Sequence, residues 1–167
     1  MPMTEYDPPE RFVAGTVGPP GQRTFFLQVR SGIRVTSVSL EKEQVAVLAE
    51  RIDALLDGLA SAGLAAEPGP PDNEPLDVPL DDEFRVVALS LAWDPVRRRI
   101  VVECHDGDPE GEEPTASVRV VLTADQARSF ARRAAGVVAA GRPPCPFCGG
   151  PLDPEGHICP RANGYRR

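Results

Sequence analysis

Val38-Ser39-Leu40-Glu41-Lys42-Glu43-Gln44-Val45-Ala46-Val47-Leu48-Ala49-Glu50-Arg51-Ile52-Asp53-Ala54-Leu55-Leu56 reads as the end of a strand running into a helix, and the chain writes it twice. Val45, Leu48, Ala49, Ile52, Leu55, Leu56 and Leu59 form one stripe at the period of an amphipathic helix. Adding 82 to the first six gives Ala127, Phe130, Ala131, Ala134, Val137 and Val138, an equivalent stripe over residues 124 to 139. The same offset carries Val38, Leu40, Gln44 and Arg51 onto Val120, Leu122, Gln126 and Arg133, so we read an internal duplication. Thr123-Ala124-Asp125-Gln126 fits a capping box, whereas Glu41-Lys42-Glu43-Gln44 keeps half of it.

Three strand-like runs precede each helix: Phe12 to Val17, Thr24 to Arg30 and Ile33 to Leu40, then Phe84 to Trp93, Arg99 to His105 and Thr115 to Leu122. Ser31-Gly32 and Asp94-Pro95-Val96 sit where hairpin turns are needed. The expected fold is α+β: two β-β-β-α repeats, about 10–62 and 84–141, forming antiparallel sheet with two helices on one face, plus a small C-terminal zinc ribbon. Between the repeats, residues 67–83 contain seven acids, five prolines and no base, which reads as an acidic, Pro-rich surface linker. Its sharper alternative is a docking segment for a basic partner. Residues 1–144 thus form the duplicated domain, and Arg142-Pro143-Pro144 marks the join to a tail of residues 145–167.

That tail holds Cys145-Pro146-Phe147-Cys148-Gly149-Gly150 and, after six intervening residues, His157-Ile158-Cys159. A C-x-x-C knuckle and an H-x-C pair supply three thiolates and an imidazole, a full tetrahedral set for Zn²⁺ with no position left for water. Cys145, Cys148, His157 and Cys159 are therefore expected to hold a structural zinc ion. A thioredoxin-type dithiol needs its thiol at a helix N-terminus, and Gly149, Gly150, Pro151 and Pro154 prevent a helix from starting there.

Composition narrows the function. Eighteen basic against twenty-five acidic residues give a net charge of -7, which argues against tight nonspecific binding of nucleic acid by the whole molecule. The tail, with Asp153 and Glu155 against Arg161, Arg166 and Arg167, carries +1 before metal binding. No signal-peptide pattern and no apolar stretch of bilayer length is present, so a cytoplasmic location without membrane contact is expected, where thiols stay available to metal. Seventeen Arg and a single Lys, Lys42, read as the coding bias of a GC-rich genome.

The stretch CPFCGGPLDPEGHICPRANGYRR resembles the end of a family of uncharacterised actinobacterial repeat proteins, a domain of unknown function with a zinc-ribbon-like tail. The specific part is C-P-x-C-G, D-P-x-G-H-x-C-P-R and N-G-Y; the resemblance extends through both repeats. It implies the same four zinc ligands, adds Arg161, Asn163, Gly164 and Tyr165 as a family feature, and implies no reaction.

Arg161, Asn163, Tyr165, Arg166 and Arg167 admit two readings: a turn with Tyr165 packed back on the ribbon, or a small basic-aromatic patch for nucleic acid or an acidic protein. Cys104 and His105 are adjacent on a strand, point to opposite faces and cannot form a dyad; Cys104 is expected in the core and His105 beside a turn. Arg97, Arg98 and Arg99 read as a solvated hairpin tip and Trp93 as core or edge packing. Gly15 to Gly21 lacks the G-K-[ST] ending of a phosphate loop. No catalytic constellation is singled out. The expected function is a non-enzymatic interaction or regulatory protein with another protein as partner. The alternatives are nucleic-acid binding through the ribbon and its arginines, or an enzyme with its site between the repeats.

Overall fold

The computed structural model describes residues 3–19, 21–108 and 116–140. Its elements are β1 (Met3–Tyr6), β2 (Arg11–Val17), β3 (Thr24–Ser31), β4 (Arg34–Leu40) and α1 (Lys42–Ser61), followed by β5 (Asp82–Arg85), β6 (Ala88–Asp94), β7 (Arg99–His105), β8 (Ser117–Leu122) and α2 (Ala124–Ala139). The fold is α+β, as expected, and each half runs β-β-β-β-α.

The strands form two four-stranded sheets, ordered β2-β3-β4-β5 and β1-β8-β7-β6. Each half therefore gives its first strand to the sheet of the other. β1 lies parallel to β8, with Met3 opposite Ser117 and Tyr6 opposite Val120, and β5 lies parallel to β4, with Asp82 opposite Ser37. All other pairs are antiparallel, so both sheets are mixed. The sequence reading of three strands per half missed β1 and merged β5 with β6 into one run. Met-Thr-Glu-Tyr and Asp-Glu-Phe-Arg are four residues long and polar, which suits the sheet edges they occupy but leaves little hydrophobic alternation to read.

Side chains explain why the exchanged strands stay in place. Tyr6 is almost fully buried, its hydroxyl hydrogen-bonds Thr36 Oγ1 of β4 at 2.7 Å, and the Arg34 guanidinium lies 4.0 Å from the centre of its ring. Asp82 accepts from the Ser39 amide at 3.0 Å and from its hydroxyl at 2.7 Å.

The two halves keep the same registers. Ala14 pairs with Leu27 and Leu27 with Val38; in the other sheet Leu91 pairs with Val102 and Val102 with Val120. These residues and the apolar stripes of both helices meet in one core. The helices pack on each other, α2 also lying against β2 and α1 against β6, so each helix covers a strand from the opposite half. Arg128 of α2 ties them at the surface by donating to Asp53 at 2.6 Å and to Asp57 at 3.0 Å.

Gln44 and Gln126 show why the offset preserves them. Each accepts at Oε1 from the backbone amide of its own N-cap residue, Glu41 at 2.7 Å and Thr123 at 3.0 Å. Each also donates from Nε2 to the chain entering the strand beneath, at Val86 O (3.3 Å) and Pro9 O (2.8 Å). One side chain closes a helix start and fixes a strand of the other half.

Candidate functional site

Where α2 crosses β2, the halves leave a cleft of about 810 Å³. One wall is Arg11 to Val13 of β2, another is the exposed face of α2 with Ser129 and Arg133, and residues 68 to 73 of the acidic segment cross it. Arg11 opens β2 with its side chain only 9% exposed, and its Nε and Nη2 grip the Asp72 carboxylate at 2.7 and 3.1 Å. Arg133 donates from Nε to Ala14 O at 2.9 Å, and from Nη1 to Asp72 O and Glu74 O, each at 2.7 Å. Two arginines, one from each half, hold the connecting segment by its backbone and by one carboxylate.

The segment continues over the outer face of sheet β2-β3-β4-β5. Gln28, fully buried, binds Asp77 on both sides of its backbone: Oε1 accepts from the amide at 2.7 Å and Nε2 donates to the carbonyl at 3.0 Å. Arg30 donates to both oxygens of Asp77 at 3.1 Å. Leu76 occupies the space over Gly15, where an added Cβ would meet the leucine side chain at 2.6 Å. At the cleft rim, Gly69 N–H donates to Ser129 Oγ and Glu67 N–H to Asp125 Oδ1, both at 2.9 Å. Residues 67 to 81 form no helix or strand, yet this surface segment is clamped at Glu67, Gly69, Asp72, Glu74 and Asp77.

The clamp is expected to loosen in acid. The hydrogen bond from Arg11 holds the Asp72 carboxyl below its usual range, and the same bond raises Arg11. Burial pulls Arg133 down, opposed by the charge of Asp72. Because the folded value of Asp72 is depressed, its contribution is complete above the ordinary carboxylate value and is lost as pH falls through the folded one. Lowering the pH from above the ordinary carboxylate range to below it should therefore shift the backbone amide resonance of Glu74, which donates to Asp72, toward that of a released chain. A resonance that stays put while the core stays folded would show that the carbonyl contacts of Arg133 suffice.

Among the described residues, the cleft thus presents carbonyls, amides and ion pairs occupied in holding the chain itself, and no nucleophile set against a base. Cys104 lies in the core as expected, and burial, with Glu103 adding, pushes its thiol up to about 12, which leaves it inert. His105 is on the opposite face, with Nδ1 2.6 Å from Ser117 Oγ and Nε2 3.3 Å from Glu103. Glu103 also takes Arg119 Nε at 2.7 Å, and Arg119 reaches Glu5 at 3.3 Å. This carboxylate-imidazole-hydroxyl row escaped sequence analysis because its members come from β1, β7 and β8. Ser117 is 2% and His105 7% exposed, and with Arg119 and Glu5 the row pins β1, β7 and β8 together.

Arg97 at the β6–β7 hairpin pairs with Asp7 at 3.0 Å, and Trp93 is partly buried against the core. The predicted ligands Cys145, Cys148, His157 and Cys159, and the contacts Arg161, Asn163, Tyr165, Arg166 and Arg167, lie outside the described residues. Among the described residues no cluster of His, Cys, Asp or Glu could hold a metal ion, and no helix is long and apolar enough to cross a membrane.

Fold and cleft together define a class: α+β proteins of two strand-exchanging halves, with the chain between the halves clamped across one of their grooves. A family model described as a protein of unknown function, DUF3090, matches residues 4–159, and the chain belongs to that family. The match runs through both halves and into the tail as far as Cys159. No curated protein and no solved structure matches the chain.

Proposed function

We propose that this chain is a zinc-carrying, non-enzymatic interaction or regulatory protein of the actinobacterial cytoplasm, with a C-terminal ribbon and a protein as its partner. The observation that carries the reading is the donor set Cys145, Cys148, His157 and Cys159. Three thiols and an imidazole at knuckle spacing suit Zn²⁺ in softness and number, and four protein ligands leave no site for substrate or activated water. The body adds support, since Arg11, Ser129 and Arg133 of the cleft between α2 and β2 are engaged in holding residues 69 to 74. The acidic balance of the chain favours a protein over nucleic acid as partner.

The test is metal content and partner capture on matched samples. The full chain should carry about one zinc per molecule, and Cys148→Ser should lose it while the main thermal transition is retained. A stoichiometric protein lost together with the metal supports docking through the ribbon. Zinc-free wild-type protein ends the reading, and nuclease-sensitive material binding with a steep salt dependence transfers the role to Arg161, Arg166 and Arg167.

A further inference from the structure

The two sheets end in four edge strands, and three of these are short or guarded. β1 and β5 are four residues long and carry Glu5 on one and Asp82, Glu83 and Arg85 on the other. β2 opens with Arg11, its Ala14 carbonyl is taken by Arg133 at 2.9 Å, and Leu76 lies over its Gly15. Short strands, edge charges and covering chain are the usual ways of keeping a sheet edge from pairing with another strand. The fourth edge, β6, has none of them. Its seven residues carry no proline and no charge before Asp94, and Ala88 stands where β2 has Arg11. At the hairpin Asp94 O accepts from Arg98 N–H at 2.8 Å, so Asp94 turns its backbone groups toward β7. By the alternation of an antiparallel pair Ala88, Ser90 and Ala92 do the same, and Leu89, Leu91 and Trp93 turn theirs outward. Among the described residues no strand pairs with that outer side. Apolar side chains gather along it. Leu89, Leu91 and Trp93 are only partly buried, and Val47 of α1, Val87 before the strand and Val96 beyond it are 43, 56 and 91% exposed.

We infer that β6 receives a second copy of the chain: two β6 strands pair antiparallel about a two-fold axis at Leu91, and two four-stranded sheets become one of eight strands. The strand is complementary to itself in this register, which uses all seven of its residues. Leu91 faces Leu91 of the second copy, Leu89 faces its Trp93, Ser90 its Ala92 and Ala88 its Asp94. Leu89, Leu91 and Trp93 are the residues whose amides and carbonyls turn outward, so they form the hydrogen-bonded pairs, and their side chains extend the apolar layer beneath the helices. Asp94 is the one charge in the strand and meets alanine, so no like charges oppose each other. One residue further out, Val87 comes opposite Pro95 of the second copy and next to its Val96, which covers the exposed valines at both ends of the strand. A slip of one residue would set outward-facing backbone groups against residues that face β7 and would carry the leucines to the wrong side of the sheet. A second copy suits this edge better than a foreign strand, because one seven-residue run supplies both sides of every contact.

The test is sedimentation equilibrium of the full chain over a range of concentrations, with amide hydrogen exchange on the same samples. The expected result is a reversible dimer of twice 17.9 kDa, in which the amides of Leu89, Leu91 and Trp93 exchange more slowly as the dimer forms. Ser90→Lys together with Ala92→Lys, both at exposed positions, sets lysines opposite one another across the axis and should abolish the dimer. Mixing that variant with Ser90→Glu, Ala92→Glu chains should restore a dimer containing one of each, which a misfolded variant would not do. A wild-type chain that stays monomeric at millimolar concentration overturns the inference. So does a dimer that the lysine pair leaves intact, or one in which those three amides gain no protection. Both readouts lie in β6, so their failure leaves the zinc reading untouched, and a zinc-free chain that still dimerises would remove only the latter.

Discussion

Phe130→Ala is expected to lower the stability of the folded chain by about 3–5 kcal/mol, the usual range for emptying a large aromatic site in a core. Phe130 is 2% exposed and stacks on Phe12 with ring centroids 4.4 Å apart and planes inclined by 13°. It joins α2 to β2, and so one half to the other. The ring also forms the floor of the clamped cleft, where neighbouring backbone held by Arg11 and Arg133 cannot close over the void. Against a typical total of about 5–15 kcal/mol the loss is large, and denaturant titration of the variant reads it directly. A cost below about 1 kcal/mol would mean that α2 settles onto β2 after all, making the stack a convenience of packing.

Cutting the chain at the boundary between its halves should abolish folding of both pieces. Residues 1–81 contain β2, β3, β4 and α1 but lack β5, which completes their sheet, and α2, which covers β2. Their β1 would be left without β8, with Tyr6 losing the cover of the other half. The second piece, from residue 82, is incomplete in the same way. Neither fragment alone is expected to show a cooperative thermal transition, whereas an equimolar mixture should regain helical circular dichroism and a single transition. A cooperatively folded 1–81 fragment would show the exchange to be an addition to a self-sufficient repeat. This outcome separates the observed topology from two adjacent repeats each closing its own sheet.

Legibility followed the physics of each feature. The helices were plain from residues alone, because Val45, Leu48, Ala49, Ile52 and Leu56 and their later equivalents repeat every three to four positions and bury as a stripe. The strands β2, β3, β4, β7 and β8 were legible to within about two residues, because each is an apolar, β-branched or aromatic run beside turn formers, whereas β6 was read as one run with β5. The interest of Gln44, Gln126, Arg51 and Arg133 could be seen from the shared offset, but not what they do. Gln126 binds Pro9, and Arg133 binds Ala14 and Asp72, partners far away in the chain.

The acidic segment shows the same boundary from the other side. Its composition marks a chain that cannot bury a core of its own, and it has no regular structure through residue 81. That Asp72 and Asp77 would meet Arg11, Arg30 and Arg133 could not be read from them, since a carboxylate in a Pro-rich run looks the same whether solvated or clamped. The sequence by itself determined the local periodicities and the two helix starts, which depend on residues close together in the chain. Only the tertiary structure decided which sheet each first strand joins and which groove is filled. Those choices rest on pairing edges and burying side chains across the two halves, and four polar residues favour neither sheet until the partner is in place.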